Sequence, residues 1–204
     1  KQLLENTYDV AAPEVVMVDL EGKPRKGVGP QDVAIALVGA TFPNGDVKNK
    51  VLEFVGPGVQ SLSMDFRNGI DTMTTESACL SSVWVTDENT REYFEVHGRP
   101  QGYREMKPGS QALYDGVVEI DLDTIVPMIA LPFHPSNAYP LADVIADPEK
   151  YLGMVEEEAK KVFETSDPNY LIVDYKDDAT AFNGLKKGTI ESKGIINNKV
   201  TNYL

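Results

Sequence analysis

Short runs of hydrophobic residues, many of them β-branched and bounded by Pro, Gly or Asp, predict several strands along the chain. The clearest is VLEFV, which is closed by a Gly-Pro-Gly turn. In residues 118–123, aliphatic side chains alternate with acidic ones, as in a strand with one buried face. The predicted strands are residues 13–22, 51–55, 82–85, a strand within 116–131, and 169–175.

Apolar residues at a spacing of three and four predict helices between these strands. Pro30 suits the first residue of a helix that ends before Pro43. Asp87 is a predicted N-cap, and Gly98 suits the position just after that helix ends. The predicted helices are residues 1–12 (a short helix or lead-in), 30–42, 61–80, 88–98 and 148–164.

The stretch from 61 to 98 is predicted to organise the rest, as helix, short buried strand and second helix. Ser61 or Ser63 is the candidate N-cap of its first helix. At about 100° per residue, one stripe of this helix contains Ile70, Met73, Ser77 and Leu80. Beside it fall Asp65, Thr72 and Glu76. Spacing alone favours a solvated helix edge here, although a hydroxyl and a carboxylate one turn apart also suit a cleft.

Strands separated by helices favour a three-layer α/β/α sandwich with a mainly parallel or mixed sheet. A Pro-rich segment, residues 132–140, marks a soft boundary. We therefore expect an α/β domain over residues 1–145 and a divergent α/β extension over residues 146–204. The end of the chain, residues 176–204, predicts only weaker helix and turn.

Composition and charge narrow the range of partners. The 204 residues are 42% hydrophobic and 25% charged, ordinary values for a globular protein. The net charge of −13 argues against nucleic acid or an anionic membrane as the main partner. A pocket of opposite local charge can still bind an anionic small molecule.

Motifs for common chemistries are incomplete. Gly27 and Gly29 precede a helix, but neither a full G-x-G-x-x-G nor a G-K-[ST] pattern is present, so a structural turn is favoured. His97 and His134 lack zinc-site spacing, and no G-x-S-x-G accompanies a Ser-His-Asp set. Cys79, the only cysteine, is expected in the core rather than as a nucleophile or metal ligand.

No apolar run is long enough for a membrane span, and the first residues do not resemble a signal peptide. With a single cysteine, a reducing, cytoplasmic location is expected. The chain lacks an initial Met and begins in helical-looking sequence, which suggests a fragment of a longer protein.

A series of linked motifs between residues 27 and 145 resembles the aconitase and 3-isopropylmalate dehydratase family. PQDVAIAL, VLEFVGPG and LSMDFRNGIDTMTTESA follow one another as the corresponding family blocks do, ahead of TDENTREYFEVHGRP and YDGVVEID. Any one of these pieces is weak evidence, whereas the combination is specific. The resemblance implies an aconitase-type iron-sulfur domain of α/β fold.

Such enzymes are hydro-lyases that move water across a hydroxy di- or tricarboxylic acid, using a 4Fe-4S cluster with one open iron. The resemblance implies a catalytic role for Glu76, which matches the family's acid beside that iron and its bound hydroxyl or water. Thr72 stands where the family usually has Asn and is the implied substrate-binding residue. Arg67 and Asp65 match an arginine and an acid of the same block and are expected to be scaffold.

The family's cluster ligands, in a Gly-Ser-Cys-Thr-Asn-Ser motif and a later Cys-x-x-Cys, are not found in this chain, nor is its Asp-Ser-His segment. The resemblance therefore implies a domain that is inactive alone, with the cluster and the remaining domains elsewhere in the parent protein. The expected substrate is a small carboxylic acid. A non-catalytic aconitase-fold binding or regulatory module is the alternative, motivated by Thr72 and the divergent tail. A relative that works without a cluster is a third possibility with no feature in its favour.

Overall fold

The computed structural model describes residues 2–163, 192–196 and 199–203. The described residues divide into two compact units, one within residues 1–130 and 134–138 and one within residues 131–133 and 139–204. The predicted strand at 169–175 lies outside the described residues. The predicted domain boundary at 145 stays a prediction.

The first unit alternates strands and helices, as the sequence pattern predicts. After a short helix α1 (Gln2–Glu5), its elements are β1 (Val15–Glu21), α2 (Pro30–Thr41), β2 (Val51–Val55), α3 (Met64–Thr74), β3 (Ser81–Trp84), α4 (Glu88–Val96), β4 (Gly116–Asp121) and β5 (Met128–Ala130). The predicted strand within residues 116–131 is thus two strands, separated by a turn.

Four of these strands form one parallel sheet in the order β3-β2-β1-β4. Val18, at the centre of β1, is paired with Phe54 of β2 on one side and with Val118 of β4 on the other. A parallel sheet requires crossover connections, and the helices between the strands provide them. The α/β fold class is confirmed, with a parallel sheet flanked by helices.

The hydrophobic core lies between this sheet and its helices. Alternate residues of β1 are fully buried, because successive side chains of a strand point to opposite faces. The α2 helix packs against the same face and against α3. The core residues are Val16, Val18, Leu20, Val33, Ala34, Leu37, Val47, Leu52, Phe54, Val59, Leu62, Ile70, Ile120 and Leu122.

The α2 helix begins at Pro30 for a local reason. Pro has the backbone angle of a first helical residue and no N–H that needs a partner. Asp32, in the first turn, accepts a hydrogen bond from the Gly29 amide at 2.7 Å and another from the Met128 amide at 2.7 Å. One carboxylate therefore fixes both the start of α2 and the start of β5.

The two helices α2 and α3 approach each other closely at a glycine. A Cβ atom added at Gly69 of α3 would lie 2.5 Å from Cγ and 2.7 Å from Cβ of Pro30. Only glycine leaves room for this contact, which sets the distance between the two helices.

The second unit contains β6 (Ala138–Pro140, of which Ala138 belongs to the first unit), α5 (Leu141–Ala146), α6 (Pro148–Phe163), β7 (Ser192–Ile196) and β8 (Lys199–Tyr203). Tyr139 and Tyr151 meet edge to face, with ring centroids 4.7 Å apart. The prediction of α6 is confirmed. The prediction of only helix and turn near the end is wrong, because β7 and β8 pair as antiparallel strands. In the part of the chain that the structure describes, no helix combines the length and apolarity needed to cross a membrane.

Candidate active site

The first helix of the organising stretch is shorter than the sequence predicts. It begins after Ser63, whose hydroxyl caps it by accepting the Phe66 amide at 3.2 Å, and it ends at Thr74. A single 3₁₀ turn follows, Thr75–Ser77, and then Ala78 with a left-handed backbone (φ +62°). The predicted continuation to residue 80 is therefore wrong.

Hydroxyl groups explain why the helix stops. The Thr74 side chain donates to the Asp71 carbonyl at 2.9 Å, and the Ser77 side chain donates to the Thr74 carbonyl at 2.6 Å. Such side chains offer the backbone alternatives to helical hydrogen bonds. The predicted apolar stripe holds as far as Ser77, which is buried, but Leu80 is 48% exposed.

Thr72 and Glu76 consequently do not share a helix face as the spacing predicts. Thr72 lies in the last turn of α3, where its exposed hydroxyl donates to the Gly69 carbonyl at 2.9 Å. Glu76 lies on the Thr75–Ser77 turn, beyond the end of the helix. The structure leaves both side chains exposed to solvent.

The Glu76 carboxylate has no hydrogen bond or ion pair with any described residue. Its neighbours, in contrast, are fixed: Thr74 is 4% exposed and Ser77 is 1% exposed. Cys79, which packs half-buried against the core, donates its Sγ–H to the Thr74 carbonyl at 3.2 Å. A turn held on both sides of Glu76 therefore presents a carboxyl group that pairs with no residue that the structure describes.

The backbone after the turn is also attached. The Asn49 amide donates to the Ala78 carbonyl at 2.9 Å, and the Leu80 amide donates to the Lys50 carbonyl at 2.8 Å. Asn49 and Lys50 lie just before β2, so these two hydrogen bonds tie the segment after the turn to the sheet. The position of Glu76 is thus set by the fold and not by contacts of its own side chain.

Asp71 is a polar residue near the site that the sequence pattern does not single out. Its Oδ1 atom accepts hydrogen bonds from the Ser82 hydroxyl at 2.8 Å and from the Trp84 indole N–H at 2.9 Å. Both donors lie on β3, eleven and thirteen residues further along. No local pattern identifies such a pairing, because it depends on how α3 and β3 come together.

Arg67 is buried, with 1% of its side chain exposed. It donates to Asp87 at 2.5 Å, to the Val59 carbonyl at 3.0 Å and to Thr90 at 3.2 Å. These contacts connect α3 to the start of α4, which supports the scaffold role expected for Arg67. Asp65, in the first turn of α3, is exposed.

The two histidines lie away from this turn in the chain and in different settings. His97 is the C-cap residue just after α4, and the centroid of its ring lies 4.2 Å from that of Tyr93. His134 stacks on Phe42 with centroids 3.8 Å apart. Among the described residues, no three His, Cys, Asp or Glu side chains are grouped so as to hold a metal ion.

Comparison with known proteins identifies the family. A family model described as "Aconitase family (aconitate hydratase)" matches residues 1–182, which is most of the chain. The chain belongs to the aconitase family. The resemblance seen in the motifs of the central stretch is therefore confirmed.

Members of this family with related sequences are dehydratases and hydratases. The chain is 30% identical over 138 residues to 3-isopropylmalate dehydratase large subunit 1 of Thermotoga maritima, covering 65% of this chain and 31% of the relative. It is 34% identical over 132 residues to the corresponding subunit of Acetivibrio thermocellus, with the same coverage. It is 39% identical over 113 residues to the mitochondrial homoaconitase of Yarrowia lipolytica, covering 54% of this chain and 16% of that protein. The chain spans about a third or less of the length of these relatives.

Proposed function

We propose that this chain is one domain of an aconitase-like hydro-lyase that acts on a hydroxy di- or tricarboxylic acid, with Glu76 as a catalytic residue. The observation that carries the proposal is an exposed, unpaired carboxylate on a turn whose neighbouring residues are buried and hydrogen-bonded. Family membership supports the reaction class. The substrate and the rest of the active site belong to the proposal.

A carboxylate at the position of Glu76 suits the removal and addition of water. Loss of water from a hydroxy acid breaks the C–O bond of the hydroxyl and a C–H bond on the neighbouring carbon, and a C=C bond forms between the two carbons. The hydroxyl leaves as water after it gains a proton, so the reverse reaction requires a water molecule to be held and deprotonated. A carboxylate that is fixed and unpaired can hydrogen-bond that hydroxyl or water and exchange a proton with it. Glu76 fills this role because no residue of the described chain competes for its oxygens.

Thr72 is the proposed substrate-binding residue. Its hydroxyl donates its proton to the Gly69 carbonyl at 2.9 Å, which leaves the hydroxyl oxygen free to accept a hydrogen bond. A threonine in this state offers the substrate an acceptor, whereas the amide expected from the family resemblance offers both donors and an acceptor. We therefore propose a substrate contact at Thr72 that is weaker than the family's.

The residues of this chain do not fit as ligands of a 4Fe-4S cluster. Such clusters need several cysteine thiolates, and Cys79 is the only cysteine. Its sulfur packs against the core and donates to the Thr74 carbonyl. Any cluster of the parent protein would take its ligands from another part of that protein, together with the remaining domains that complete the site.

A second candidate is a binding or regulatory module that keeps the aconitase fold without catalysis. It is favoured by Thr72, whose hydroxyl is turned back onto its own helix. In such a protein Glu76 and its turn would be exposed but would take no part in a reaction. The two candidates differ in whether Glu76 is needed for turnover.

The test uses the full-length parent, reconstituted anaerobically with iron and sulfide and offered citrate-, isopropylmalate- and homoaconitate-like acids. We expect Glu76→Gln to reduce kcat by about 100-fold or more, as loss of a proton-transferring group does. Glu92→Gln, at an exposed position of α4, is the matched control and should retain activity. Near-normal turnover of the Glu76→Gln protein would overturn the role. No turnover of the unsubstituted, folded parent on any of these acids would favour the binding module.

A further inference from the structure

Asp71 connects the end of α3 to the edge strand of the sheet. One oxygen, Oδ1, receives both the Ser82 hydroxyl and the Trp84 indole N–H, at 2.8 and 2.9 Å. A half-buried carboxylate with two such donors holds the last turn of α3 in one position relative to β3.

The Trp84 donor is held in place by its own packing. Trp84 stacks on Phe54 with ring centroids 4.0 Å apart and ring planes 4° apart. Phe54 is fully buried in β2, and the two residues are opposite each other in the parallel pairing of β2 with β3. The position of the indole N–H is therefore set by the sheet, and its hydrogen bond to Asp71 positions the end of α3 against β3.

A chain of hydrogen bonds continues from Asp71 towards Glu76. The Thr74 hydroxyl donates to the Asp71 carbonyl at 2.9 Å and lies 3.3 Å from the Ser82 hydroxyl. The Ser77 hydroxyl in turn donates to the Thr74 carbonyl at 2.6 Å. Residues 71, 74 and 77 are thus each held, and Glu76 lies between the last two with its side chain in solvent.

We propose that Asp71 is a positioning residue for Glu76, which fixes the Thr75–Ser77 turn by tying the end of α3 to Ser82 and Trp84. The inference rests on the proposed function only in assigning catalysis to Glu76. Displacement of a reacting group by about 1 Å can reduce a rate by about 100-fold, so a residue that controls the turn controls turnover. Loss of Asp71 should lower kcat more than it changes KM.

Asp71→Asn and Asp71→Ala separate this role from a general need for the residue. Asparagine keeps an Oδ1 acceptor for both Ser82 and Trp84, whereas alanine removes it. In the full-length parent we expect Asp71→Ala to lower kcat by about 10- to 100-fold. Asp71→Asn should keep most of the native kcat. Asp65→Ala, an exposed acid on the same helix, is the matched control and should leave kcat unchanged.

A double-mutant cycle with Glu76→Gln tests whether Asp71 acts through Glu76. If it does, Asp71→Ala should lower kcat in the unsubstituted protein and have little further effect in the Glu76→Gln protein. An equal loss in both backgrounds would overturn the proposal, because it would mean that Asp71 serves the fold alone. Unchanged kcat in Asp71→Ala would also overturn it.

Amide hydrogen exchange of the peptide containing residues 75–77, in the same full-length proteins, gives a readout that needs no turnover. Exchange there should rise in Asp71→Ala and stay unchanged in Asp71→Asn and Asp65→Ala. If Glu76→Gln leaves turnover normal, the proposed function fails. The exchange rates of residues 75–77 then still show whether Asp71 holds the turn in place. Unchanged exchange in Asp71→Ala would overturn the positioning role whatever Glu76 does.

Discussion

The guanidinium of Arg67 lies 2.5 Å from the carboxylate of Asp87, which is also the N-cap of α4. Asp87 accepts the Thr90 amide at 3.2 Å, and Thr90 accepts a hydrogen bond from the same arginine. One ion pair therefore sets the start of α4 and its position against α3. Since α3 leads directly into the Thr75–Ser77 turn, this ion pair also helps to position the turn that contains Glu76.

Asp87→Ala should destabilise the protein by about 3–5 kcal/mol, because it leaves the charge of Arg67 buried without its partner. Urea unfolding of the two proteins measures the difference. Glu88→Ala is the control, since Glu88 forms an exposed ion pair with Arg91 at 3.2 Å and its loss should change stability by less than about 1 kcal/mol. Equal effects of the two substitutions would contradict the importance of the buried pair.

The same pair predicts a dependence of stability on pH. Partial burial acts to raise the pKa of Asp87, but hydrogen bonds from Arg67 and Thr90 and the arginine charge outweigh it and lower the pKa below 3.8. The stability from Asp87 is therefore complete above its unfolded-state pKa and is lost as pH falls through the lower folded-state value. The difference in urea midpoint between the native protein and Asp87→Asn should shrink in that acid range. A difference that stays constant would contradict this.

Gly69→Ala should destabilise the protein although alanine is the better helix former. The new Cβ would lie 2.5 Å from Pro30 Cγ, so α2 and α3 would have to move apart. Overpacking of this kind costs about 1–3 kcal/mol, which exceeds the gain of about 1 kcal/mol in helix propensity. Gly109→Ala, where the new atom meets nothing within 4 Å, is the control. A thermal unfolding temperature for Gly69→Ala at or above the native value would disprove the close contact.

Tyr114→Phe should leave stability nearly unchanged, within about 1 kcal/mol. The Tyr114 hydroxyl is buried and makes no well-formed hydrogen bond in the part of the chain that the structure describes. The Glu53 carboxylate is close enough to raise the pKa of Tyr114, but the contact is too poor in geometry for its loss to cost much stability. Tyr8→Phe, at a residue 72% exposed, is the control for the loss of a hydroxyl. A large loss of stability in Tyr114→Phe alone would show that the hydroxyl is bonded in solution.

Tyr114 should also titrate late. Burial, with the nearby Glu53 carboxylate, raises the pKa of Tyr114 from 10.0 to about 12. Because the folded-state value is the higher one, the stability that Tyr114 contributes is complete below pH 10.0 and is lost as pH rises towards about 12. Ultraviolet titration of tyrosinate should show one late ionisation that is missing from Tyr114→Phe. Complete ionisation near the ordinary tyrosine pKa would contradict it.

Most strands and helix starts follow from local sequence. VLEFV forms β2 at the predicted residues, β3 is displaced by one residue, and Pro30, Ser63 and Asp87 begin or cap helices as predicted. These signals are local, because each depends on the backbone angles or hydrogen bonds of a few neighbouring residues.

The end of α3 and the network around it were not predictable in the same way. A helical wheel that extends from Asp65 to Leu80 assumes an unbroken helix, and the hydrogen bonds of the Thr74 and Ser77 hydroxyls show that the helix ends earlier. Glu76 becomes a candidate only through the family resemblance, since its spacing alone indicates a solvated edge, and its catalytic role stays a prediction. Asp71 needed the structure, because its partners come from another element of the sheet.

The placement of β4 beside β1 has a consequence for how the protein folds. The Asp115 amide donates to the Val15 carbonyl at 2.8 Å, although the two residues are 100 positions apart in the chain. The strands β1, β2 and β3 can pair as soon as their own connections are made, but β1 keeps one edge open until β4 arrives. During synthesis at about 5–20 residues per second, that edge stays exposed for several seconds or longer. Closure of this edge by β4 must therefore wait until residues 116–121 have been synthesised, and until then the unpaired edge of β1 can pair with another chain.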